Sequence, residues 1–267
     1  MRKLSYTGLF VILVLISSVA AGQSSDANYL KFDYIKVQPE NVHDYLEYMH
    51  NTWKPLYQKQ VASGKIDSWN LYRVFAPGGA DGKYNFVAVT SASGLNVYQS
   101  LSPREILSMN KKSQREIGRM MDRANDLRTV MYTEFWKAIN KIDEDEASPH
   151  PAKYMMVDYM LVAPGKDYDY QMLEDEVAKP IHQERKEQDR MAGWELFSLI
   201  TPGGREYGYN FATGNYFEEL SDVEFGFTED VVMNALPGTD LPELFDTIFA
   251  TRSLVKSEVW ELVDRTD

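Results

Sequence analysis

Asp33 and Asp158 each stand in the middle of an apolar, β-prone run. Strand interiors disfavour aspartate, and burying an unpaired carboxylate is costly. Each therefore either pairs with a cation, Arg128 or Arg252, or carries a raised pKa and serves as a base or ligand anchor. Tyr34 and Tyr159 follow the two aspartates and add a phenol to each run. Further along, Arg128, Glu134 and Trp136 share one parity, as do Arg252, Glu258 and Trp260, which in a strand places each trio on one face. A charged pair beside an indole either lines a cavity for a flat molecule or closes the end of a sheet interface. Asn85 and Asn210 lie between aromatic residues in Tyr84-Asn85-Phe86 and Tyr209-Asn210-Phe211. They either orient a ligand or hydrogen-bond the neighbouring turn.

Histidine is scarce: His43, His50, His150 and His182. His182 is the candidate base, because it follows Lys179-Pro180-Ile181 at a place where an earlier, similar segment has Tyr57. No H-x-x-H or H-E-x-x-H spacing occurs, so no metal site is expected. With no cysteine there is neither a thiol nucleophile nor a disulfide framework. The turns at Pro77-Gly78-Gly79 and Pro202-Gly203-Gly204 lack the lysine and the strand-to-helix setting of a phosphate loop. No G-x-S-x-G nucleophile elbow is present.

The elements that must position these residues occur twice. At a shift of 125, residues 29–90 align without a gap on 154–215, with 18 identities in 62 positions. At a shift of 124, Arg128, Glu134 and Trp136 fall on Arg252, Glu258 and Trp260. A repeat this long is one structural unit duplicated. Each copy reads as strand, helix, strand, strand, helix, strand. Pro39 and Pro164 close the first strands, and Pro55 and Pro180 predict a kink or restart in the first helices. Gly64 is a stop signal. The paired runs at 69–75 and 84–90, and at 194–200 and 209–215, predict hairpins around the Pro-Gly-Gly turns. Ser102, Pro103 and Glu105 open a second helix, expected to run on through Met121. Its counterpart is expected to be split at Pro237-Gly238 and Pro242. Last strands are expected at 128–138 and 252–263.

Arg2 and Lys3, an apolar run at 9–16 and small residues to Gly22 read as a secretory signal peptide over 1–22, cleaved after Ala21 or a neighbour. The run is too short for a membrane span. The expected division is a repeat at 29–140, an acidic linker at 141–153 and a second repeat at 154–265. A net charge of −12 over 267 residues argues against nucleic-acid binding and against docking on anionic lipid. The expectation is an exported, periplasmic or secreted protein with no stable membrane anchor in its mature form.

A βαββαβ unit leaves one sheet face bare, and a second copy in the same chain is the economical cover. The element order and the duplication resemble the dimeric α+β barrel superfamily of ferredoxin-like domains in tandem form, a single-chain pseudo-dimer working as a monomer. That resemblance covers residues 29–263. It implies cofactor-free monooxygenases acting on polycyclic phenols, haem-binding and haem-degrading proteins, and lactone isomerases as relatives, with ligands between a sheet and its helices. No cofactor is expected, with haem left open; the second helices carry no histidine, so only His43, His50 and His182 could serve one. The leading functional expectation is a binding module for a small aromatic or apolar molecule. Tyr34, Asn85, Glu134, Trp136, Tyr159, Asn210, Glu258 and Trp260 are its candidate ligand contacts. The alternatives are a cofactor-free oxygenase or isomerase with Asp33, Asp158 or His182 as base, and a structural protein without a ligand.

Overall fold

The computed structural model describes residues 28–77, 82–144 and 151–266. The signal-peptide segment, Gly78 and Gly79 of the first turn, and His150 with residues 145–149 of the acidic linker lie outside the described residues. Eight strands, β1 (Tyr29–Val37), β2 (Ser68–Phe75), β3 (Phe86–Ala92), β4 (Arg128–Ile142), β5 (Tyr154–Val162), β6 (Gly193–Thr201), β7 (Phe211–Phe217) and β8 (Arg252–Arg265), close a barrel in the order β1-β3-β2-β8-β5-β7-β6-β4. Each half is the expected βαββαβ unit. The last strand of each half crosses to the other: β4 pairs with β6, and β8 with β2. The two sheets thus cover each other's bare faces.

Helices α1 (Val42–Tyr48), α2 (Lys54–Ala62), α3 (Pro103–Met109) and α4 (Gln114–Leu127) lie over the first half. Helices α5 (Asp167–Leu173), α6 (Lys179–Glu187), α7 (Glu229–Ala235) and α8 (Leu241–Thr251) cover the second. One π-helical turn, Met49–Trp53 or Glu174–Ala178, precedes the Lys-Pro pair in each half. Pro55 and Pro180 have no N–H to donate back, and the widened turn accommodates that before the helix restarts. Gly64 ends the following turn at φ 67°, in the left-handed region.

The second helix of the first half is not continuous to Met121. It breaks at Asn110–Ser113, because Ser113 and Glu116 form a capping box of their own after the Ser102–Glu105 box. Both halves are therefore split at this point. The last strands run further than expected, to Ile142 and Arg265, because their ends pair with the opposite half.

Three apolar layers result. The barrel interior is filled by Phe32, Tyr34, Trp136, Tyr159, Phe197 and Trp260. Trp69 and Trp194, on the outer faces, anchor the layers beneath the helices.

Candidate functional site

Strand alternation sends Phe32 and Tyr34 of β1 and Tyr159 of β5 into the barrel, where Glu134 and Trp136 of β4 and Glu258 and Trp260 of β8 meet them. Arg128 and Arg252 do not share the glutamates' face. A β-bulge falls in β4 between the partners of Tyr34 and Ile35, and one falls in β8 between those of Tyr159 and Met160. The extra residue reverses the parity. Arg128 therefore stands opposite Val37 on the helix side, and Arg252 lines a pocket with Leu173 and His182.

Glu134 is fully buried and accepts four hydrogen bonds. Tyr34 donates to Oε2 at 2.6 Å and Trp136 Nε1 to Oε2 at 3.1 Å. Tyr209 donates to Oε1 at 2.5 Å, and Tyr207 donates to the same oxygen. The hydroxyls of Tyr34 and Tyr159 lie 2.9 Å apart across the pseudo-twofold axis. Since Tyr34 gives its proton to Glu134, Tyr159 donates to Tyr34. At Glu258, Tyr84 donates to Oε1 at 2.6 Å, Lys256 to Oε1 at 3.1 Å and Trp260 to Oε2 at 3.1 Å. The two networks are exchanged: Tyr209 of the second half serves Glu134 of the first, and Tyr84 of the first serves Glu258 of the second. The Lys256 ammonium also lies 4.1 Å from the Tyr159 ring centroid and 5.4 Å from that of Tyr84, within cation–π range. Burial, with Glu258 and Tyr132 nearby, pushes the Tyr84 hydroxyl well above its ordinary pKa. Burial and Glu134 do the same for Tyr209. Both stay protonated donors at neutral pH.

Residues 128–134 of β4 and 252–258 of β8 have a ladder partner on one side only, so the strands splay at this end of the barrel. The opening is a cavity of about 960 Å³. Its walls include the rings of Tyr84, Tyr132, Tyr207 and Tyr209, the hairpin prolines Pro77 and Pro202, and Lys83, Lys256 and Glu258. It lies at the mouth of the barrel, not between a sheet and its helices.

The second half also has a sheet–helix pocket, of about 90 Å³, that brings Asp158 and His182 together with Glu174 and Arg252. Asp158 accepts from Ser257 and, at 3.1 Å, from Asn215, and burial raises its pKa. His182 lies over Trp194, its ring centroid 5.5 Å away, and its Nδ1 is 3.1 Å from the Arg185 guanidinium. Arginine can only donate, so Nδ1 is the acceptor. Burial and the Arg185 charge hold the His182 pKa well below its ordinary value, so the ring is neutral with its proton on Nε2. Asp33 is met by Lys31 at 2.7 Å and Thr133 at 2.6 Å rather than by Arg128.

These residues do not fit a haem. The pocket is far smaller than the macrocycle, and the neutral His182 ring has no free lone pair for iron while Arg185 occupies Nδ1. His43 and His50 are exposed on the first helix, and His50 contacts Asp264. Among the described residues, no group of three or more His, Cys, Asp or Glu side chains could hold a metal ion.

Of the candidate ligand contacts, the structure gathers Tyr34, Tyr159, Glu134, Trp136, Glu258 and Trp260 at one place. Asn85 and Asn210 are elsewhere. Each holds both backbone groups of the residue ending the first strand: Val37 at 2.8 and 2.9 Å, and Val162 at 2.8 and 3.1 Å. Sequence reasoning passed over Tyr84, Tyr132, Tyr207, Tyr209 and Lys256. A signal existed for two of them, since Tyr132 and Lys256 stand two residues before Glu134 and Glu258 and so share their face.

No family model matches the chain, and no curated protein matches its sequence. Solved structures match its fold. A provisionally assigned monooxygenase from Fusobacterium nucleatum superposes with a TM-score of 0.55 at 8% identity, over 90% of this chain and 94% of that one. Another from Lactobacillus acidophilus gives 0.50 at 9% identity, over 90% and 96%. A haem-binding protein from Thermus thermophilus gives 0.48 at 10% identity, over 89% and 92%. The architecture is that of the dimeric α+β barrel, with both units carried on one polypeptide. At these identities the likeness defines the fold alone.

Proposed function

We propose that this chain binds a small aromatic molecule, and that the ligand lies in the barrel-end cavity rather than between sheet and helices. The observation that carries this reading is the contrast in space and lining. About 960 Å³ walled by tyrosine rings and prolines is available at the barrel mouth, against about 90 Å³ beneath the second half's helices. Ligand pockets fall at roughly 300–1,000 Å³ and combine apolar walls with a few fixed polar groups. Glu258, Lys256 and Tyr84 are those polar groups here, held rigidly by one another. Trp260, bonded to Glu258, makes its own fluorescence a reporter. Native mass spectrometry of protein from an exporting host should find about one retained small molecule per chain. Adding aromatic probes to the stripped protein should shift the tryptophan emission to saturation. No retained mass and no saturable shift with neutral, cationic or anionic aromatics would overturn the reading.

The sequence of the first 22 residues supports export, and with it binding outside the cytoplasm. The amino-terminal sequence of the secreted product should begin at or next to Gly22. An intact Met1 on protein recovered outside the cytoplasm would refute removal of the segment.

A further inference from the structure

The sheet–helix pocket of the second half is lined at the positions where that half departs from the first. Trp53, fully buried beneath the first half's helices, corresponds to Ala178 on the pocket wall. Met49, Ala88 and Tyr57 correspond in the same way to Glu174, Thr213 and His182, all three on that wall. An indole has given way to a methyl, and polar groups have entered the layer around it. Phe227 packs edge to face on His182, with ring centroids 5.1 Å apart, and bounds the space that remains. That space, about 90 Å³, is well above the ~10–15 Å³ one water needs and well below the roughly 300 Å³ of ordinary ligand pockets. It shares no lining residue with the barrel-end cavity.

His182 and Glu174 are each more than nine-tenths buried. Arg185 occupies Nδ1 of His182, which leaves the Nε2–H as the ring's donor to the pocket. Glu174 brings a carboxyl to the same wall, and Leu173, Val177 and Ile248 make its apolar side. The charges of Asp158 and Arg252 offset each other. We propose that this pocket is a second ligand site, for a short-chain primary carboxamide. Its carbonyl accepts from His182 Nε2, its nitrogen donates to Glu174, and its alkyl chain lies on the apolar side. Tyr170, Arg252 and Asp158 also act on Glu174, but burial dominates and keeps its carboxyl protonated up to about pH 7. The acid can then return a hydrogen bond to the carbonyl's second lone pair. Ionised ligands are disfavoured: a carboxylate would join Asp158 and Glu174, and an ammonium would meet Arg252. A hydrocarbon would leave the Nε2–H and the Glu174 carboxyl unpaired.

The test is a ligand-detected NMR titration of the whole chain, at slightly acidic pH, with propionamide, butanone and propionate, three molecules of nearly one shape. Butanone has a methyl in place of the amide nitrogen, so propionamide should bind roughly tenfold more tightly. Propionate should bind no better than butanone. Two variants copy the first half. Ala178→Trp should abolish propionamide binding, and Glu174→Met should lower it to the level of butanone. Both should keep the circular dichroism and the aromatic-probe response of the unaltered chain. Should Ala178→Trp not fold, Glu174→Met carries the test alone. Absence of saturable propionamide binding overturns the site, as does binding that both variants leave unchanged. Equal affinity for propionamide and butanone, or a preference for propionate, overturns the carboxamide assignment. The aromatic probes report on the barrel mouth, so this proposal and the reading above fail separately.

Discussion

Beneath the helices of the first half, Tyr57 lies flat on Trp69, with ring centroids 4.9 Å apart and planes 4° from parallel. In the second half the equivalent pair is His182 and Trp194, at 5.5 Å and 24°. Two turns earlier the contrast repeats, with Met49 in the first half and Glu174 in the second, both nearly inaccessible to solvent. The first half is thus closed with apolar and aromatic groups, while the second carries a glutamate and a histidine at the same depth. The barrel interior reverses the arrangement. There the first half's Glu134 is sealed by two tyrosines from the opposite hairpin, and the second half's Glu258 opens on the cavity. Duplication supplies two copies of each place, so one copy can stabilise while the other departs from apolar packing.

The glutamates give the sharpest way to break this comparison. Replacing Glu134 by leucine strands the Tyr34 hydroxyl and the Trp136 indole N–H where water cannot reach, and takes the acceptor from Tyr207 and Tyr209 at the cavity wall, at about 1 kcal/mol or more for each buried group. We expect Glu134→Leu to lower the unfolding free energy by roughly 4 kcal/mol in urea titrations. Glu258→Leu should cost roughly 2 kcal/mol, because Tyr84 and Lys256 border the cavity and regain water, leaving only the Trp260 indole N–H stranded. Equal losses would mean that the two carboxylates are equally enclosed.

A smaller effect, of up to about 3 kcal/mol, separates the two helix-covered layers and depends on pH. Burial raises the Glu174 pKa to about 7, partly offset by Tyr170 and Arg252, while Asp158 adds to the rise. The folded chain therefore holds a proton there that the unfolded chain releases from about pH 4.5 upward. This contribution to stability is complete below pH 4.5 and is lost as pH rises towards and past 7. Glu174→Met copies the first half and removes it. The variant should gain on the native chain steadily between pH 4.5 and 8 in denaturant midpoints. His182 works in the opposite sense, its contribution fading as pH falls below its ordinary value of 6.5, and it is common to both proteins. A constant difference across that range would show Glu174 to be ionised in the folded state.

Much of this was legible in the chain because duplication doubled every signal. Asp33-Tyr34 with Asp158-Tyr159, the Lys-Pro pairs and the Ser102–Glu105 box mark the element order in the residues themselves. Parity along the last strands correctly joined Glu134 to Trp136 and Glu258 to Trp260, because nothing interrupts the alternation between them. It failed for Arg128 and Arg252, since each strand holds a bulge that no residue type announces. The cavity was illegible for a different reason. It arises where β4 and β8 leave one sheet before joining the other, which is a property of register and not of composition. The second capping box, at Ser113 and Glu116, was in plain view, but the apolar spacing through Met120 suggested one continuous helix.

The least effect is expected where the halves are most alike. Asn85 and Asn210 each clamp the backbone N–H and C=O of a valine at the end of the first strand, with distances that agree to 0.2 Å or better. Each clamp ties that strand end to the start of β3 or β7, beside the hairpin that frames the cavity. Asn85→Ala and Asn210→Ala each remove two hydrogen bonds and leave a backbone pair short of partners, at roughly 1–3 kcal/mol. Because the two sites are distant copies, their costs should match within about 0.5 kcal/mol and should add in the double variant. Neither asparagine touches the cavity wall, so aromatic-probe affinity should stay within about twofold in both variants. Should Asn85→Ala alone weaken binding, the first hairpin, which carries Tyr84, would have to be set by this clamp more tightly than the second.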